Sequence, residues 1–573
     1  MPDQQRGVPD SITFDRGLNT RKAPMMLEDG ELVTAQGLSY DSIGSVTPRS
    51  SKEKGSTTQI GTIRGIHRNL NSLVVVDGDN VRYKWDLDAF CDLYVPPNAD
   101  FTSVGKLSGS GPPNFCNYNE FLFISSPPSK KAFINGNLYE WGIDAPTEIP
   151  RGTAGASGEP NDTYSLYYTY LVYFPNGQAV ETSPSPAGSV TVASQKIEWS
   201  NIAPCPYGGS GLTIHRKLYR YSTTLIETYY VATIADNTTT TYSDNFSDDT
   251  LEIHEVCSTE DYSPPPTGTR FAVYHIERVF AIQGSYVYPS ESYMPFTFDH
   301  LYRIQVTTEG DDLTGGVAWG GSFYVTSKSR WYRIAGGSSA TWEAKGTYSE
   351  TGCVSGATII PTQYGIIHLW HDGIYLFDGQ ISKNITVGKL ADSVFSAISS
   401  YASCYASWDG RRYYLHYPIS GTTLSKRLVL DFSRSQDILI HNDDFIPTAH
   451  QYDMRTGIHY YGYNGYHYKE GGSDTVALSI KTGDRIVKNL FQQKQLEYLY
   501  YDIDTGGQEV IVKIYIDDIL AFTKAITTTS REKERVLLPQ KQGYRYYMTI
   551  TAADGRGVTI YEPWAISVNY AGV

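Results

Sequence analysis

The sequence predicts an all-β protein: a β-propeller-like body, an inserted fibronectin III or immunoglobulin-like sandwich, and a C-terminal β-sandwich. Three observations predict it. Tyr is abundant, 47 of 573 residues, and Met scarce, 6; enrichment in Tyr, Thr, Gly and Asn suits strands cut by tight turns. Apolar runs are joined by turn signals. The clearest lies in Tyr364–Gly379, where Ile366 to Trp370 and Ile374 to Phe377 flank His371-Asp372-Gly373. Asp-Gly between two β-forming runs marks a hairpin whose glycine takes a positive φ. Long amphipathic helices are nearly absent; Leu390, Val394 and Ile398 alone recur clearly at helical spacing.

The hairpin unit recurs around Gly284, Gly321, Gly373, Gly410 and Gly465, spaced by 37, 52, 37 and 55 residues. Asp79-Asn80 and Asn135-Gly136 begin two earlier units. Spacings near a propeller-blade period predict radially repeated sheets, but their unevenness leaves the blade number open.

In chain order, residues 1–57 read as an extended arm with too little apolar surface to fold alone. Residues 58–150 form the first part of the body. Gly152 to Pro160 is a linker by composition. Residues 155–255 carry short strands at sandwich spacing: Tyr164 to Phe174, Lys196 to Trp199, Leu212 to Tyr221 and Thr228 to Ile234. Ser263-Pro264-Pro265-Pro266 ends the insertion, and 260–472 resume the repeats. Residues 475–573 alternate as a second sandwich.

A net charge of −14 argues against a broad grip on nucleic acid. The six cysteines, at 91, 116, 205, 257, 353 and 404, form no CxxC pair, so free, mostly buried thiols and assembly in a reducing cytoplasm are expected. No signal peptide and no run of 18 apolar residues is visible. No catalytic, cofactor or metal site is assigned. His368, His371 and Asp372 straddle a turn and read as ordinary polar residues. Asp502-Ile503-Asp504 lacks the later glutamate of a calcium loop. Tyr544-Arg545-Tyr546-Tyr547 would be exposed in a sugar- or fibre-binding sandwich, but alternate packing of its tyrosines on the sheet faces is favoured.

Three stretches together carry a family resemblance: Gly17-Leu18-Asn19-Thr20 through Gly37-Leu38; Glu181-Thr182-Ser183-Pro184-Ser185-Pro186 with His215 to Arg220; and Gly320 to Thr326 with His371 to Gly379. In this order they resemble the tail nozzle, or tail hub, proteins of short-tailed bacteriophages (tail tubular protein B-like), over most of residues 10–472. The resemblance implies a virion tail protein assembled in the host cytoplasm. It implies a homo-hexameric ring below the tail adaptor and portal, carrying tail fibres or spikes. Double-stranded DNA would pass through without specific binding, and no enzyme activity or cofactor is implied. Arg16, Arg21 and Lys22 form the arm's basic cluster, a possible adaptor-docking surface, with a merely solvated arm the blander reading. The alternative function is a glycan-binding or glycan-cleaving phage propeller, although no pair of carboxylates stands out for that chemistry.

Overall fold

The computed structural model describes residues 8–85, 100–337, 341–434, 437–487 and 490–570. Half of the chain is strand and 4% helix. Among the described residues, seven antiparallel sheets stand around one axis as propeller blades. The first strands of blades 1 to 7 are Ile63–Asn69, Asn114–Tyr118, Phe271–His275, Gly315–Trp319, Ile360–Thr362, Tyr405–Trp408 and Ala449–Asp453. Each blade packs on its neighbours, and blade 7 packs on blade 1, so the ring is closed. Blade 7 supplies only three strands of its own: Ala449–Asp453, Ile458–Tyr463 and Tyr466–Glu470. Its fourth, Lys52–Lys54, comes from the N-terminal region and pairs Lys54 with Tyr468 and Lys52 with Glu470. The ring is therefore closed by joining the two ends of the repeat series in one sheet.

The central hairpin forms as expected, Gly365–Trp370 against Gly373–Phe377, with Trp370 opposite Gly373. Its turn differs. The two loop residues are His371 and Asp372, and Gly373 is not among the positive-φ glycines. What a side chain at 373 would meet is the end of Asn384, whose Nδ2 lies 2.4 Å from a Cβ placed there and would have to shift. The Asn464-Gly465 turn does use positive φ, at 49° and 76°, as a two-residue hairpin loop of that type requires.

Between blades 2 and 3 lies the inserted sandwich. One sheet holds Arg151–Ser157, Gln195–Ser200 and Tyr242–Asp244; the other holds Thr163–Tyr173, Ala179–Glu181, Gly188–Thr191, Thr213–Tyr221 and Tyr229–Ile234. The expected linker at 152–160 is largely strand. Its small residues let it lie close to the opposite sheet, and a Cβ on Gly152 would meet Leu166 and Val190 at 2.7 Å. The sandwich core also runs into the propeller. Phe174 stacks on Phe296 of blade 3 at 4.6 Å and meets Phe121 of blade 2 edge-on at 5.3 Å.

The arm is built into the fold. Glu31–Gln36 bridges blade 6 to the terminal region: Gln36 pairs with Asn442, and Leu32 to Gln36 with Thr482 to Ser479. Blade 6 thereby becomes part of one ten-stranded sheet ending in Val510–Ile516 and Ile519–Ile526. The facing eight-stranded sheet takes Val8–Ile12, Leu38–Ser39 and Ser45–Pro48 from the arm, alongside Lys494–Asp504 and Trp564–Tyr570. Phe14, Leu18, Leu32, Leu38 and Val46 are fully buried between these sheets with Trp564, Ile550 and Leu428. The arm's apolar residues are few, but they are spaced at strand period and face one core.

Candidate functional site: the axial channel and the arm surface

The first strands of the blades surround an axial cavity of about 520 Å³. His67 and Phe115, stacked at 5.0 Å, line one side; Ser407, Trp408, His450 and Gln451 line the other. Asn117 Nδ2 lies 3.0 Å from His67 Nε2. Burial pulls the His67 imidazole down to about 4, so it is neutral at ordinary pH. A second cavity, about 760 Å³, opens at the mouth formed by Gln59 to Arg64, Thr422, Thr423 and Asn464. Its only charged lining group among the described residues, Arg64, is turned to the Gly78 and Leu107 carbonyls and Ser126 Oγ. Among the described residues, the axial cavity is lined largely by apolar groups, among them Ile66, Ile359, Ile360 and Met454, interspersed with the rings and neutral hydrogen-bonding groups just named, and no carboxylate lines either cavity.

The arm cations are brought together on one surface, but each already has a carboxylate. Arg16 Nη1 lies 2.6 Å from Glu28, Lys22 Nζ lies 2.8 Å from Glu28 and 3.1 Å from Glu31, and Arg21 Nη1 lies 2.8 Å from Asp392. Arg16 and Arg21 remain about half exposed. An acidic partner would have to compete with these carboxylates, and the pairings to Glu28 and Asp392 lie in solvent, where water and salt screen them.

His368 is wholly buried in blade 5, where Trp331 Nε1 donates to its Nε2 at 3.3 Å. His371 packs edge-on against Tyr401 at 5.0 Å, and Asp372 accepts from the Tyr375 hydroxyl at 2.9 Å. The structure does not converge these three side chains. Asp502 is held by Arg531 at 2.5 Å and Lys533 at 3.3 Å. In the C-terminal aromatic stretch Tyr544 is exposed, while Tyr546 and Tyr547 are buried. Cys116, Cys205, Cys257, Cys353 and Cys404 are unpaired and buried; Cys91 lies outside the described residues.

Glu562 stands where the arm meets the terminal sandwich and accepts from the Phe14 backbone N–H. Burial, with Asp15 nearby, pushes its carboxyl up to about 7. Because this lies above the ordinary 4.5, the stability it supplies is full below pH 4.5 and fades as pH rises toward 7. Glu562→Gln keeps the acceptor oxygen and removes the charge. Thermal melts should match the parent below pH 4.5 and exceed it above pH 7; equal melts at both would refute this origin of the shift.

Sequence reasoning passed over one cluster: five of the 12 histidines fall between His416 and His467, and most of them meet at one blade interface. Their density was the available signal. No family model matches this chain, and no curated protein matches it. Similar solved structures include a chain of the mitotic checkpoint complex, 8% identical, covering 77% of this chain and 99% of that one at TM-score 0.29. They also include apo AztD from Citrobacter koseri, 12% identical, 72% and 94% covered, TM-score 0.23. An exo-β-1,3-galactanase from Phanerochaete chrysosporium is 9% identical, 72% and 99% covered, TM-score 0.22. Scores this low carry no argument about what this chain does.

Proposed function

We propose that this chain is a structural subunit of a ring-shaped conduit of the tail nozzle type, a virion protein through which a short-tailed phage ejects its genome. One observation supports this reading above the others: the arm ties propeller and terminal sandwich into a single ten-stranded sheet. A subunit of a tube under pressure must hold its shape, and continuous sheet with a shared core resists hinge motion better than a linker does. The inserted sandwich, anchored through Phe174, Phe121 and Phe296, gives a second firmly seated surface for fibres or neighbouring subunits. A net charge of −14 suits a passage that DNA traverses without being held. The arm cations provide the surface proposed for the adaptor. Native mass spectrometry and imaging of tails from particles that carry this chain should give a six-fold ring. Another ring number overturns the hexamer. Turnover of host polysaccharide by the purified chain, lost on one carboxylate-to-amide change, overturns the conduit reading in favour of a glycan-cleaving propeller.

A further inference from the structure

The seam between blades 6 and 7 is built unlike its neighbours. Apolar clusters fill the seams between blades 1 and 2, 3 and 4, and 4 and 5. The seam between blades 7 and 1 has an apolar centre into which Arg68, Lys84 and one imidazole, His467, are packed, His467 lying on Tyr460 at 5.6 Å. At the seam between blades 6 and 7, imidazoles, phenols and a guanidinium take that place. Blade 6 presents Tyr405, Ser407, Tyr414 and His416, all buried, together with Arg427 from Lys426–Asp431. Blade 7 presents His450, His459 and Tyr461, also buried.

The contacts form one connected array. His416 lies flat on Tyr405 at 4.3 Å, and neither of its ring nitrogens has a hydrogen-bond partner. Across the seam His416 meets His450 at 5.8 Å. Ser407 Oγ lies 2.5 Å from His450 Nδ1, and His450 Nε2 lies 2.8 Å from His459 Nδ1. Arg427 stands over Tyr414 at 4.4 Å and is paired to Asp443 at 2.9 Å. Arg49 shares that same Asp443 at 2.7 Å. The carboxylates nearest the imidazoles are Glu470 and Asp409, 3.6 and 3.8 Å from His459 Nε2; Asp409 also accepts from the Tyr414 hydroxyl.

The hydrogen bond between His450 and His459 holds only while at least one of the two imidazoles is neutral. A hydrogen bond between two imidazoles needs one nitrogen to accept, so a cation at both His450 and His459 destroys it. A proton on His416 or His450 sets a second buried cation beside Arg427, and Arg427 has already taken Asp443. Burial and the positive field of Arg427 hold His416 and His450 well below their ordinary value, and burial foremost, with Arg427 and Arg412, brings His459 down to about 4 despite Glu470. Groups depressed in this way supply stability above pH 6.5 that is lost as pH falls toward 4. Glu470 is also the backbone partner of Lys52 in the strand that closes the ring.

We propose that the seam between blades 6 and 7 is an acid-operated latch of the propeller: protonation of His416, His450 and His459 parts the two blades and frees Lys52–Lys54 from blade 7 while the apolar seams stay closed.

Hydrogen exchange read by mass spectrometry between pH 6.5 and about 4, corrected for intrinsic exchange, tests this. Peptides covering Lys52–Lys54 and Ala449–Glu470 should lose about tenfold or more of their protection before Ser322–Ala335 of blade 4 changes. His416→Phe keeps the ring stack and removes one titrating group; His459→Gln keeps a partner for His450 and removes another. Each should move the opening to lower pH. Uniform loss of protection along the chain, first opening in blade 4, or unchanged onset in both variants overturns the latch. If either variant fails to fold, the order of opening in the parent chain still decides.

Discussion

Deleting residues 1–57 is expected to abolish folding of the propeller and the terminal sandwich together. The arm places Ile12, Phe14, Leu18, Leu32, Leu38 and Val46 in the main core, all nearly or wholly buried. Burying a side chain of this size contributes about 1.5–3 kcal/mol. A handful of them equals the whole net stability of a typical domain, about 5–15 kcal/mol. The deletion also strips blade 7 of its fourth strand, cuts the ten-stranded sheet in two and uncovers both edges of the eight-stranded one, which invites aggregation. The chain lacking the arm should be recovered insoluble or without a cooperative melt. Leu32→Ala supplies a graded version, with an expected loss of about 2–5 kcal/mol. A soluble, cooperatively melting product of the deletion would show that the arm is merely draped on a body already complete.

Asp244→Ala should destabilise the inserted sandwich by about 3–5 kcal/mol, the usual consequence of leaving one member of a buried ion pair behind. Arg220 and Asp244 are both wholly inaccessible, with Nη1 2.7 Å from Oδ2. The same guanidinium reaches Asp248 at 3.0 Å and the Phe246 carbonyl at 2.9 Å, and its face lies over Tyr164 at 4.4 Å. Removing Asp244 leaves that cation in the core with one partly exposed carboxylate. The double variant Arg220→Met/Asp244→Leu should recover most of the loss, because an apolar pair of similar volume fills the space without a charge to solvate. Denaturant titration followed by circular dichroism measures both. A loss below about 1 kcal/mol for Asp244→Ala would mean the pair behaves like a surface salt bridge.

Local chemistry made much of the architecture readable. Period-two alternation and turn residues mark Gly365–Trp370, Gly373–Phe377 and the Asn464-Gly465 hairpin from their own sequence, because a strand's two faces and a tight turn are decided by neighbouring residues. The helical triplet at Leu390 to Ile398 was legible in part for the same reason: a short helix, Asp392–Ser396, forms within it and buries Phe395, while Leu390 and Ile398 are buried just beyond its two ends. The blade number was not. It depends on Lys52–Lys54 finding Tyr466–Glu470, and pairing between distant strands leaves no signal in either strand alone. The arm misled for a related reason: Leu32 and Leu38 look sparse in sequence, and only the facing sheets from the far end of the chain make them core. Gly373 misled because its φ is not positive: the loop residues are His371 and Asp372, and Gly373 already pairs with Trp370 in the strand. For the same reason as the arm, the clustered histidines of blades 6 and 7 went unread. Each sits on its own strand, and only the packing of two blades brings His416, His450 and His459 within reach of one another and of Arg427.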